Sequence, residues 1–235
     1  MALSGTIINA LLIIAGTVAG LIFKKILPER LKDTLLQAVG LIVMFVGIGG
    51  AVSATLTYEN GAFGTKDTLI MILAMVLGTI IGELINIEKQ LDRFGAFCQK
   101  KLVKENAKST FAEGMVTASL IFAVGAMAVV GAMEDGINGD MSILIAKSIL
   151  DLIIIAIMAA SMGKGCVFSF VPVGILQGSI TLLSRFIAPY LTVSALNNLS
   201  FVGSVLIFCV GLNLMWDMKI KVANMLPAVI LAMIL

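Results

Sequence analysis

Long apolar runs separated by short charged clusters dominate this chain, and that alternation leaves very few folds open to it. An α-helix needs about 17–25 apolar residues to cross roughly 30 Å of hydrocarbon, where the backbone polar groups must be satisfied without water. Runs of this kind are read at about 4–23, 34–54, 68–87, 113–133, 142–162, 166–188 and 198–216, with a shorter one at 222–235. Of 235 residues, 60% are apolar and 13% charged, so little chain remains for anything else. The expected fold is all-α: a polytopic transmembrane helical bundle of about seven or eight spans, forming a single integral membrane domain over 1–235. Met1–Ile8 carries no Lys or Arg, so the first run reads as a permanent span rather than a removable signal.

The placement of the cations orients the bundle. Lys24, Lys25, Arg30 and Lys32 follow the first run; Lys89, Arg93, Lys100, Lys101, Lys104 and Lys108 follow the third; Lys164 follows the fifth; Lys219 and Lys221 follow the seventh. In an eight-span reading all of these fall on one side, and only Lys66 and Arg185 fall on the other. The positive-inside rule makes the crowded side cytoplasmic and the N-terminus external. Two segments strain this reading. Val222–Leu235 is only about 21 Å long as a helix at ~1.5 Å per residue. Pro172, Gly174 and Gly178 interrupt the run at 166–188, which predicts a broken or re-entrant helix and, if it re-enters, seven spans.

Internal repetition is the next signal. Gly16-Thr17-Val18-Ala19-Gly20 returns as Gly78-Thr79-Ile80-Ile81-Gly82. Leu41–Gly47, Leu120–Gly125 and Leu206–Gly211 each begin Leu-Ile and end Val-Gly. With eight spans the third copy runs opposite to the first two, making the duplication inverted; with seven, all run the same way. Glycines at such spacings let helix backbones approach closely, within the chain or across a homodimer.

Charges inside spans cost roughly 2.5–3.5 kcal/mol each unless paired or hydrated. Lys147 and Asp151 stand four apart and hence on one helical face. They are either a structural bridge or a hydrated substrate or ion site. Glu83 lies one turn from the end of the third run and either snorkels to solvent or serves a site. Glu113, after Ser109 and Thr110, suits a helix N-terminus. Glu134, Asp135 and Asp140 lie among Gly131, Gly136 and Gly139, a composition that reads as an external polar turn able to gather a cation. Asn9, Asn213 and Asn224 sit in or beside apolar runs, as interhelical hydrogen-bonding groups or as ligands to a solute.

Several chemistries lack their residues. The chain has no histidine, and Cys98, Cys166 and Cys209 are scattered without a C-x-x-C pair, so neither a zinc site, a disulfide framework nor imidazole acid/base catalysis is indicated. No phosphate loop or dinucleotide motif is present. No metal, cofactor or enzymatic activity is expected.

Gly5–Asn9 with Gly16-Thr17-x-x-Gly20, Gly131–Gly136, Lys147-Ser148-x-x-Asp151 and Lys221–Ala228 together resemble the YqgA/YdfK-like bacterial membrane proteins, over essentially the whole chain. The resemblance implies a multi-pass protein of the bacterial cytoplasmic (inner) membrane, from a family described as transporters or as of unknown function, and brings no substrate or catalytic residues with it. The reading that follows is a small-solute or ion transporter, carrier or channel, with a polar site near the bilayer midplane. The alternative is a non-transporting scaffold or regulatory subunit. Expected partners are the lipid bilayer, a small solute or ion and, through glycine-rich helix faces, a second copy; nucleic acid is not among them.

Overall fold

A computed structural model describes residues 3–24, 26, 28–59, 61–66, 68–90, 93, 110–123, 126–187, 192–216 and 218–235. Cys98 and the basic positions Lys25, Lys100, Lys101, Lys104 and Lys108 lie outside the described residues. The helices are α1 (Ser4–Lys24), α2 (Glu29–Thr55), α3 (Thr68–Ile85), α4 (Thr110–Ala123), α5 (Ala126–Ile137), α6 (Ser142–Met162), α7 (Phe170–Ile187), α8 (Val193–Trp216) and α9 (Pro227–Ile234). Short 3-10 segments, Lys164–Ser169 and Val222–Met225, lead into α7 and α9. Among the described residues six helical segments are long and apolar enough to cross a membrane, and the bent pair α4–α5 makes a seventh. The protein is a helical membrane bundle.

Glycine seams hold the bundle together. The buried face of α1 is a single stripe of Gly5, Thr6, Asn9, Ile13, Gly16, Thr17 and Gly20, laid parallel along α6. A Cβ on Gly16 would come within 2.6 Å of the Leu152 carbonyl, and one on Gly20 would strike the carbonyl of Ala156. α2 and α8 pack antiparallel: Gly40 sits against Leu214 and Met215, whereas Gly47 sits 2.7 Å, at its Cβ position, from the Phe208 nitrogen and Ser204 carbonyl. On α3, Gly78 and Gly82 seat Ala228 and Asn224 in the same antiparallel sense. Lipid offers helices no hydrophobic reason to associate, so backbone approach of this kind supplies the packing contacts. The outward faces remain apolar, with Leu41, Ile42, Phe45 and Val46 on α2 and Ile72, Leu73, Val76 and Ile80 on α3 exposed, as suits a hydrocarbon solvent.

The broken helix is not where the prolines and glycines suggested. α7 runs unbroken from Phe170 to Ile187 through Gly174 and Gly178. Pro172 falls in its first turn, where a missing N–H removes no intrahelical bond. Gly178 faces Thr6 of α1 and the preceding Leu3, at distances where a Cβ would make ordinary contact. The bend lies between α4 and α5, whose axes differ by 62°.

A second departure from an all-helical chain is a two-stranded antiparallel hairpin between α2 and α3, Leu56–Glu59 with Ala62–Thr65. Gly61, at φ 82°, supplies the left-handed backbone of its two-residue connection. Tyr58 and Phe63 pair across it with tilted rings, centroids 5.0 Å apart, both exposed.

Buried apolar residues join α1, α2, α4 and α6 around Ile13, Val43, Phe122 and Met158, with Leu21, Leu36 and Leu214 packed against them. A second cluster, again including Leu214, ties Met115 of α4 to Val210 of α8 and Val222. Lys24 Nζ lies 3.2 Å from the Cβ position of Gly163. The segments following α1, α6 and α8, which carry Lys24, Lys164, Lys219 and Lys221, therefore emerge at one end of the bundle.

Candidate functional site: a buried polar junction

Lys147 and Asp151 form an ion pair along one face of α6 and are 7% and 5% exposed. The Lys147 ammonium also stands 5.7 Å from the centroid of the buried Phe122 ring on α4, a cation–π distance. From α1 the Asn9 side chain interacts with the Asp151 carboxylate. The Asn9 amide donates to Gln177 Oε1 of α7 at 3.1 Å. Four residues from three helices thus form one buried polar group.

Nearer the N-terminal end of α1, Asp135 of α5 is 1% exposed, and its Oδ2 accepts the Gly5 N–H at 3.2 Å. Gly5 is in the first turn of α1, so its N–H has no intrahelical partner and the helix dipole favours an anion there. Thr6, the next residue of α1, and Thr181 of α7 are both buried. Leu3, just before α1, and Thr6 reach Gly178 of α7, and Gly136 of α5 places its backbone against the Thr181 carbonyl and Ser184 Oγ.

The hydrogen-bonding of this region is incomplete. Thr6 Oγ1, Asn9 Oδ1, Asp135 Oδ1, Gln177 Nε2 and Thr181 Oγ1 are buried with no partner, and only Asn198 Oδ1, on α8, shares that condition among the described residues. Elsewhere the helices satisfy such groups locally: Thr17, Thr79, Ser119 and Ser148 each donate to the carbonyl four residues earlier, at 2.5–2.8 Å. Unpartnered buried polar atoms are uncommon in native structures and cluster where a ligand or water completes them.

The polar turn expected at Gly131–Asp140 is not one. Helix α5 continues to Ile137, and Gly131 and Gly136 face packed neighbours. The three carboxylates separate: Glu134 accepts from Asn138 Nδ2 at 2.6 Å, Asp135 turns inward, and Asp140 Oδ1 accepts the Ser142 N–H at 2.8 Å. Hydrogen bonds from the side chain and backbone of Ser142 hold the Asp140 carboxyl below the ordinary carboxylate range.

Glu83 and Asn224 come together in a different place, at the end of α3. Asn224 Nδ2 donates to Glu83 Oε2 at 2.5 Å, Asn224 Oδ1 accepts the Glu88 N–H at 2.8 Å, and Lys221 Nζ donates to Glu83 Oε1 at 2.7 Å. The hydrogen bond to Glu83 raises the Lys221 ammonium above its usual pKa. Each of these donors has an acceptor, as expected of a latch that ties the chain's last segment to α3. Asn213 closes the preceding loop by bonding both the N–H and the carbonyl of Ile220. An open groove on α3, lined by Met75, Val76, Thr79, Ile80 and Glu83, faces outward and belongs to this side.

Of the positions singled out in the sequence, Asn9, Lys147, Asp151 and Asp135 therefore belong to the junction; Glu83 and Asn224 form the latch; Glu134 and Asp140 make local hydrogen bonds. Gln177, Thr6 and Thr181 were not legible as site residues. Gln177 is an uncharged polar side chain inside an apolar run, which was the one available signal. Among the described residues no group of three or more Cys, Asp or Glu side chains is arranged to hold a metal. Cys166 is buried and Cys209 half-buried, both free thiols.

The model of a family described as "Protein of unknown function (DUF554)" matches residues 4–235. The uncharacterized membrane protein YdfK of Bacillus subtilis is 31% identical over 227 residues, covering 97% of this chain and 93% of the relative. The uncharacterized protein YqgA of Escherichia coli is 32% identical over 232 residues, covering 97% and 94%. No solved structure matches the chain. Matching a family model along almost its whole length and two relatives above 30% identity, the chain belongs to the DUF554 family.

Proposed function

We propose that this protein is a transporter of a small polar solute or ion, and that the buried group of Asn9, Lys147, Asp151 and Gln177 is where the solute is held. The observation that carries the reading is the set of unpartnered polar atoms gathered at the junction of α1, α5 and α7 beside an intramembrane ion pair. Intramembrane charges cost several kcal/mol and mark transport or proton pathways more often than architecture. The α1–α6 interface is the meeting point of two separate parts of the chain, the usual position of a carrier's site. All four side chains are buried, which corresponds to an occluded state.

The basic end of the bundle is the cytoplasmic one by the positive-inside rule, in a bacterial cytoplasmic membrane with the N-terminus external. The two Gly-x-x-x-Gly motifs, which seat α6 and α9 respectively, are read as equivalent parts of a duplication, and the antiparallel α2–α8 pair as its inverted copies. The glycines of these seams are filled from within the chain, so a homodimer through a glycine face would use Gly49 or Gly174, which have no neighbour within 4 Å.

The test is Lys147→Met combined with Asp151→Leu, reconstituted in liposomes and assayed for uptake across a panel of small solutes and ions. A transporter of this design inserts and folds but loses flux. A double variant with unchanged flux would remove the pair from the mechanism, and absence of flux for every solute in the native protein would favour the scaffold reading.

A further inference from the structure

We propose that Asp135, with Thr6 and Thr181, forms a binding site for one sodium ion at the junction of α1, α5 and α7. Asp135 is almost wholly buried, and no cationic side chain among the described residues pairs with it, since Lys147 is bound to Asp151. One oxygen takes the Gly5 N–H; the other, Oδ1, has no partner. One amide and a helix terminus worth about half a charge do not balance a buried carboxylate.

The neighbouring groups are of one chemical kind. Thr6 Oγ1 follows directly on Gly5, Thr181 lies where α5 backs onto α7, and both hydroxyls are unpartnered. Thr181 does not use the carbonyl four residues earlier, although Thr17 and Thr79 do so in comparable helices. Asn9 Oδ1, one turn along α1 from Thr6, adds another free oxygen. A carboxylate oxygen, hydroxyls and an amide carbonyl are hard ligands and suit a hard cation. A single carboxylate balances a single charge; a divalent ion would leave one positive charge uncompensated in hydrocarbon. Sodium's role as the coupling ion rests on the transport reading, but the site does not.

The experiment is thermal unfolding of the purified full chain in lipid nanodiscs, titrated with sodium chloride against choline chloride at constant ionic strength. A site of this kind raises the unfolding temperature in a saturable, sodium-specific way. Asp135→Asn, which keeps an acceptor for Gly5, should abolish the response. Thr6→Val and Thr181→Val, which leave that bond in place, should weaken the apparent affinity about tenfold, the effect of losing roughly 1.4 kcal/mol of binding. A sodium response absent from the native protein, or unchanged in Asp135→Asn, overturns the proposal. So does stabilisation by lower pH with no sodium dependence. Should Asp135→Asn fail to insert, the two valine variants decide, and an undiminished response in both overturns the site. Flux is not measured, so loss of the transport reading and loss of the sodium site remain separate results.

Discussion

Asn9 and Gln177, 168 residues apart in sequence, share a single buried hydrogen bond that leaves Asn9 Oδ1 and Gln177 Nε2 unused. The bond fixes α1 against α7 while keeping one acceptor and one donor free in the interior. Replacing Asn9 alone by Leu strands Gln177 and removes the contact to Asp151, so a loss of about 1–2 kcal/mol is expected. Asn9→Leu with Gln177→Leu should recover part of it. Thermal unfolding of the purified variants measures both, and additive losses would show that the two side chains are uncoupled.

Removing either charge of the Lys147–Asp151 pair leaves the other buried and alone. Lys147→Met or Asp151→Leu should each destabilise by about 3–5 kcal/mol, whereas the double replacement should lie near the native protein in stability. A denaturant or thermal series in detergent reads this directly. Equal damage in the double variant would mean that packing against Phe122 and Asn9, rather than charge, is what the pair provides.

The glycines divide by what lies against them. Gly20→Ala and Gly82→Ala drive a methyl group into the carbonyls of Ala156 and Asn224 and should cost about 1–3 kcal/mol or prevent assembly. Gly174→Ala meets open space within a helix and should stabilise by about 0.5–1 kcal/mol. The readout is the folded fraction recovered by size-exclusion chromatography, together with unfolding temperature. A destabilising Gly174→Ala would indicate a neighbour at that face.

Membrane orientation is tested with cysteines introduced into a background lacking Cys98, Cys166 and Cys209. Phe63→Cys on the exposed hairpin should react with an impermeant maleimide in intact cells, and Lys219→Cys should react only after permeabilisation. The opposite pattern would invert the bundle.

Asp140 gives a pH dependence whose sign is fixed by its lowered pKa. Its bond to Ser142 contributes stability that is present above the ordinary carboxylate value of 3.8 and is lost as pH falls through the lower folded value. Asp140→Ala should therefore lose stability at neutral pH and show a shallower further decline in acid. Parallel acid profiles for the two proteins would show that the carboxylate contributes nothing to the start of α6.

Helix α1 was legible residue by residue because its causes are local: an apolar run of membrane length must satisfy its own backbone, whatever surrounds it. The same holds for the other long spans, for the glycine motifs as places of close approach, and for the facing of Lys147 and Asp151, which follows from a four-residue spacing. What tertiary packing decided is which of these features meet. Pro172 looked like a break, yet it stands in the first turn of α7, where its missing N–H removes no intrahelical bond. Glu134, Asp135 and Asp140 looked like one acidic turn, yet α5 extends through the first two and sends them to different partners. Thr6 and Thr181 carry no signal of their own, and Gln177 carries only that of a polar side chain in an apolar run. Their burial, and the bonds they leave unmade, arise only when α1, α5 and α7 come together, because a polar atom's lack of a partner is a property of its neighbours and not of its own stretch of chain.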